Sequence, residues 1–223
     1  MADRPATRKR DPAILKSGVR LRQGVSFGGS SAELGAAPEV SGLALHTLAR
    51  TLKHLRGEAC LASIFSQVPS NIAEELAGGS VRASGWYPLA WLIDLHQVAQ
   101  RVTGAGPELS RELGYEGSRY NFRGAHRFYV VNRDPAAFLI RAPWVHSLFY
   151  KGCGDLAVLE SAPGFARARW TDAVALTESL WQERLGSCEA ALDMSGADGL
   201  RVELVSGGRS GSPVTELVAH WLP

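Results

Sequence analysis

The stretch that most constrains this chain is Gly85-Trp86-Tyr87-Pro88 and the segment it launches, Leu89 to Val102. Proline fits a first helical position, where its missing N–H costs nothing. Behind Pro88, Leu89, Leu92, Leu95 and Val98 recur at helical spacing, and Trp91 and His96 widen the stripe sideways. Thr103-Gly104-Ala105-Gly106-Pro107 then stops the helix. The reading is a central, mostly buried helix around which the remaining elements pack.

The segments before it are helical too. Leu43, Leu45, Leu48, Leu52 and Leu55 mark a helix from Gly42 to Leu55, with Ser41 as N-cap and Gly57 as stop. A shorter helix is expected from Glu58 to about Gln67, and another after Val68-Pro69-Ser70-Asn71, ending near Gly78-Gly79. Leu109, Leu113, Tyr120, Arg127 and Val131 fit a long helix over 108–132, although His126 to Val131 also suits a strand. Asp134-Pro135 and Pro143 each start a helical turn.

The pattern then changes period. Asp155–Ser161 and Phe165–Trp170 alternate and are joined by Ala162-Pro163-Gly164, a hairpin signature. A helix capped by Thr171-Asp172 should run to Leu185, closed by Gly186. Three strands follow, at Cys188–Met194, Leu200–Val205 and Val214–Trp221. Their connections are too short for crossovers, so they should be antiparallel. The fold class is α+β: a helical N-terminal two-thirds packed on a C-terminal antiparallel sheet interrupted by one helix.

Charge divides the chain unevenly. Residues 1–22 hold seven cations (Arg4, Arg8, Lys9, Arg10, Lys16, Arg20, Arg22) against Asp3 and Asp11, a net +5 within a total of +2, which leaves a mildly acidic body. Residues 1–18 read as a disordered basic tail, functional as an electrostatic tether or merely solvated, and 19–223 as one domain, with a short strand at Val19–Phe27 and a loop at Gly28-Gly29-Ser30-Ser31. Cys60, Cys153 and Cys188 form no C-x-x-C pair, which fits a reducing compartment. No secretory h-region follows the basic tail and no apolar run is long enough to span a membrane. The expectation is a cytoplasmic protein.

No motif for chemistry stands out. His46, His54, His96, His126, His146 and His220 lie apart with no H-E-x-x-H, so no metal site is expected. The glycine runs lack the third glycine of a dinucleotide loop or the lysine of a P-loop, and no serine sits in a nucleophile elbow. The chain reads as non-enzymatic, with no cofactor. Most aromatic residues are expected in the core, and a subset could line a cavity between helices and sheet. The candidate ligand-binding residues are Trp91, His96, Tyr120, Arg123, His126 and Arg127. Arg119, Arg123 and Arg127 at i, i+4 and i+8 would form a cationic stripe, either a solvated face or a seat for an acidic partner; nucleic acid is not favoured.

The order of elements, together with Ser84-Gly85-Trp86-Tyr87-Pro88, Arg141-Ala142-Pro143-Trp144, Pro163-Gly164-Phe165-Ala166-Arg167 and Gly208-Arg209-Ser210-Gly211 running to His220-Trp221, resembles a ligand-binding superfamily. That superfamily includes the V4R domains, haem-type nitric-oxide sensor domains and Bet3-like Golgi transport subunits. Within it the chain is most similar to an uncharacterised paralogous family abundant in myxobacteria. The resemblance implies a helical layer on an antiparallel sheet, often as a homodimer, with an apolar pocket for a small hydrophobic ligand, in a signalling or adaptor role. It does not carry haem across. The haem-sensor signature is Tyr-x-Ser-x-Arg, and Tyr115-Glu116-Gly117-Ser118-Arg119 has those residue types at another spacing.

Overall fold

The computed structural model describes residues 37–124, 126–130 and 134–223. The basic tail, the strand expected at 19–27 and the loop after it lie outside those residues. The architecture is α+β, with seven α-helices and two antiparallel sheets among the described residues.

Helix α1 (Gly42–Arg56) begins at Ser41, whose Oγ accepts from the Ala44 N–H at 3.3 Å, and its leucine stripe is buried. Helices α2 (Glu58–Phe65) and α3 (Ser70–Ala77) follow as short amphipathic pieces. The central helix α4 (Leu89–Thr103) buries Leu89, Leu92, Leu95, His96 and Val98, and Gly104 closes it at φ 68°. Pro88 is not its first helical residue. It is extended (φ −53°, ψ 132°) and ends a short strand, Trp86–Pro88. That strand (β2) pairs with β1 (Glu39–Ser41), which pairs on its other side with β3 (Tyr150–Lys151).

Helix α5 (Glu108–Arg123) is shorter than the spacing suggests. It breaks at Gly124, and Arg127–Tyr129 form a separate 3-10 turn. Arg127 therefore leaves the helix, and the stripe of three arginines does not form. Arg119 instead bonds Glu116 at 3.3 Å. Helix α6 (Pro135–Ser147) is one helix rather than two turns: Asp134 caps it by accepting from the Ala136 and Ala137 N–H groups, and it continues through Pro143.

The hairpin forms as expected from β4 (Asp155–Ala162) and β5 (Phe165–Thr171). Helix α7 (Glu178–Met194) then departs from the sequence reading in two ways. It starts six residues after Asp172, and it runs through Gly186 to absorb the strand expected at Cys188–Met194. Gly186 is no stop. A Cβ there would collide with the Arg111 carbonyl on α5, and one at Gly114 would collide with the Glu183 carbonyl on α7. The two glycines let α5 and α7 pack backbone against backbone. Strands β6 (Arg201–Ser206) and β7 (Val214–His220) complete an antiparallel sheet in the order β4-β5-β7-β6. The helical layer covers one face of it, and Leu45, Leu52, Leu95, Leu180 and Trp181 are fully buried in the core between.

Candidate functional site

The inner face of the sheet carries Trp170, Leu217 and Val202 but is small at three positions. Ala166, Ala168 and Ala219 are buried there, where strands commonly carry bulkier β-branched or aromatic side chains. Between these alanines and the helices opposite, α1, α5, α6 and α7, a cavity of about 140 Å³ remains. That is close to the size of an apolar cavity able to hold benzene, and roughly ten times the minimum for one water. Its walls are apolar: Leu48, Leu113, Phe122, Phe138, Val145 and Leu217 are among them.

Polar groups interrupt this wall, and four of them come from one helix. Glu183, Arg184, Ser187 and Cys188 of α7 line the cavity at spacings of one helical face. His146 of α6, Tyr150 of β3, His96 of α4, Thr47 of α1 and Ser118 and Asn121 of α5 join them.

Arg184 is the centre of the group. It is only 5% exposed, and Tyr150 lies under its guanidinium at 3.9 Å from the ring centroid. Its Nη1 donates to His146 Nδ1 at 2.9 Å, while His146 Nε2 donates to the Gly154 carbonyl at 3.2 Å. This pair of bonds requires the neutral Nε2–H tautomer. Burial, reinforced by the Arg184 charge, brings the His146 pKa down to about 3. Arg184 Nε and Nη2 are buried with no hydrogen-bond partner among the described residues.

Glu183 is held by the Tyr150 hydroxyl, which donates to its Oε2 at 2.8 Å. Burial raises the Glu183 pKa, against the opposing pull of Arg184. Burial also raises the Tyr150 hydroxyl well above its ordinary value and pushes the Cys188 thiol up to about 12. Cys188 is therefore a thiol, not a nucleophile, at neutral pH.

His96 belongs to a second polar chain. Its Nδ1 lies 2.9 Å from Ser110 Oγ, which also accepts from Gln100 Nε2, and Gln100 bonds Ser179. Helices α4, α5 and α7 are thus tied together through four side chains. His96 Nε2 is buried without a partner among the described residues, and burial lowers the His96 pKa to about 4.

Of the six candidate residues, the structure places His96 on the cavity and the other five away from it. Trp91 packs against Tyr87, with ring centroids 5.3 Å apart. Tyr120 is 52% exposed beneath Arg50. Arg123 and Arg127 are exposed, and His126 stacks on Tyr129 at 5.8 Å. Arg184, Glu183, Tyr150 and His146 had no signal beyond their residue type. Arg184 sits in Gln182-Glu183-Arg184, which reads as a polar helix surface.

A helical layer thus lies over an antiparallel sheet, with an apolar cavity between them and a buried cation at its edge. Solved structures share the fold. An oxygen-binding H-NOX domain related to soluble guanylate cyclases superposes with a TM-score of 0.61 at 16% identity, covering 81% of this chain and 94% of that one. A ferrous, unliganded H-NOX mutant from K. algicida gives 0.62 at 12% identity, covering 82% and 97%. A structure described for modulating haem redox potential through protein-induced porphyrin distortion gives 0.61 at 17%, covering 81% and 99%. At these identities the likeness is one of fold. No protein-family model and no curated protein matches the chain.

The haem named for such relatives does not suit the residues here. Both ring nitrogens of His146 are engaged, one on Gly154 and one on Arg184. His96 has one unpartnered nitrogen, but the cavity beside it is smaller than the roughly 300–1,000 Å³ of pockets that take drug-sized ligands, and haem is larger than most of those. One buried arginine is the only cation on the described lining, against the two carboxylates haem carries.

Proposed function

We propose that this protein is a non-enzymatic, V4R-like cytoplasmic sensor or adaptor that encloses a small hydrophobic molecule and signals through a protein interface, as a homodimer. The observation that carries the reading is the apolar cavity between the α-layer and the alanine-faced sheet, edged by buried polar groups that lack partners. Against catalysis stands the state of its titratable groups: a thiol near 12 and two imidazoles at about 4 and 3 are poorly placed for proton transfer at neutral pH. No helix among the described residues is long and apolar enough to cross a membrane.

The fold shared with H-NOX domains supports a sensor, and the site supports an occupant other than haem. Native mass spectrometry of protein purified from its own host, repeated after denaturation, tests this. The expected result is a small molecule retained in the native spectrum and released on unfolding. A haem mass or a Soret band would overturn the non-haem reading, and an apo protein throughout would remove the sensor reading.

A second reading has its own observation. Phe128, Ile140 and Trp144 are 58%, 61% and 49% exposed, and Trp144 contacts Tyr129 at 5.1 Å. Such an aromatic patch suits a protein contact. On that reading the protein is a scaffold that recruits an acidic partner, and its binding would weaken with salt.

A further inference from the structure

We propose that the cavity's ligand is a small apolar monocarboxylate, an aromatic or short aliphatic acid, whose carboxylate seats on the free edge of Arg184. The inference rests on the ligand-binding reading above and names its chemical class.

Three observations converge on it. The first is the geometry of the free donors. Nη1 of Arg184 is taken by His146, and the two nitrogens left over are Nε and Nη2. Their N–H bonds lie on one side of the guanidinium and point in parallel, the arrangement that grips both oxygens of a carboxylate. A lone carbonyl or hydroxyl would satisfy only one of them.

The second is charge. Arg184 is buried, yet its one hydrogen-bonded partner is a neutral imidazole. Among the described residues it forms no ion pair within bonding distance, whereas Arg111, Arg56, Arg167 and Arg169 each do. Glu183 is adjacent in sequence and feels the Arg184 charge, but its carboxylate is bonded to Tyr150 instead. A buried cation with no ion pair at bonding distance is costly, and a carboxylate brought in with the ligand would supply one.

The third is the rest of the wall. Beyond Arg184 most of the lining is alanine, leucine, valine and phenylalanine, which suits an apolar tail or ring, while Thr47 and Ser187 donate to Asn121 Oδ1 and the Gly114 carbonyl. A space of about 140 Å³ limits that tail to something near a single ring.

The test is an NMR titration of the full chain at pH 7.5 with benzoate and hexanoate, set against benzyl alcohol and 1-hexanol as neutral counterparts. A charge-assisted bidentate contact predicts that each acid binds at least about tenfold more tightly than its alcohol. Arg184→Met should abolish this preference while the alcohols still bind. Arg184→Lys, which keeps the charge but not the fork, should leave a reduced preference. Circular dichroism confirms that the variants fold. If Arg184→Met does not fold, Arg184→Lys and the wild-type comparison still decide.

If the wild type binds the alcohols as well as the acids, the carboxylate inference is overturned and the cavity reading stands. If the acids are preferred but Arg184→Met changes nothing, the anion sits elsewhere and the inference is equally overturned. If no compound binds, the ligand-binding reading itself fails.

Discussion

Helix α7 meets two neighbours in opposite ways. Toward α5 it presents Gly186, Glu189 and Asp193. There the packing is so close that the glycine has no room for a methyl group, and Arg111–Glu189 and Tyr115–Asp193 bridge the seam. Arg184 stands two residues from Gly186, about 200° around the helix. On that side Arg184, Ser187, Cys188 and Ala191 face an unfilled space over a sheet face that includes Ala166, Ala168 and Ala219. One face of α7 is rigid because backbone touches backbone. The other stays open because small side chains face each other across a gap. An internal cavity requires both, since the tight seam keeps the loose one from collapsing.

The largest effect should come from breaking the seam. Gly186→Val drives a branched side chain into the Arg111 carbonyl, which is backbone and cannot rotate away. The expected loss is roughly 3 kcal/mol or more, measured by urea unfolding. A loss below about 1 kcal/mol would show that α5 and α7 separate easily, and the contrast between the two faces would not hold.

The next effect belongs to the polar groups at the border between seam and cavity. His96 has a pKa near 4 and His146 near 3 in the folded protein, against 6.5 unfolded. Below pH 6.5 the unfolded chain takes up protons that the native state refuses, so stability falls with acidification. For His96 the loss should accumulate between pH 6.5 and about 4, to about 3 kcal/mol, and for His146 it continues toward 3. Glu183, whose pKa is raised, acts in the opposite sense and lowers the net slope. Chemical denaturation at a series of pH values should show the fall, and His96→Leu should remove about one proton from the slope. A slope indifferent to His96→Leu would mean that the ring is accessible to water rather than sealed.

The sequence shows much of the seam's scaffold and little of the open side. The leucine stripe of α1, its Ser41 cap and the Ala162-Pro163-Gly164 turn are local patterns, and the structure reproduces them. What was misread depends on distant partners. Trp86–Pro88 is a strand only because residues 39–41 lie beside it. Gly186 resembles a helix stop unless α5 is known to be pressed against it, and the apolar run after it is short enough to suit either state. The helix through Pro143 forgoes one hydrogen bond, the one to the Leu139 carbonyl, and persists because α6 is packed on the sheet. Arg184 could not have been singled out, because burial is a property of its surroundings. The cavity left one trace, the alternation Ala166-Arg167-Ala168-Arg169, whose inward residues are too small to fill a core.

That trace yields the smallest expected effect and the sharpest comparison with Gly186. Ala168→Val adds two methyl groups on the inner face of β5, at a position that borders the cavity. Valine also suits a strand better than alanine. Stability should stay within about 1 kcal/mol of the wild type, because the added atoms enter free space rather than displace backbone. Benzyl alcohol and benzoate should both bind more weakly, since the side chain occupies room that either ring needs. The two substitutions each insert a small branched side chain at a buried position. The space around them is the largest difference, exceeding the helix and strand preferences of about 1 kcal/mol, so the same urea experiment reads it. A loss at Ala168 as large as that at Gly186 would mean that the sheet and helices cannot yield there, and that the alanines are packed rather than spared.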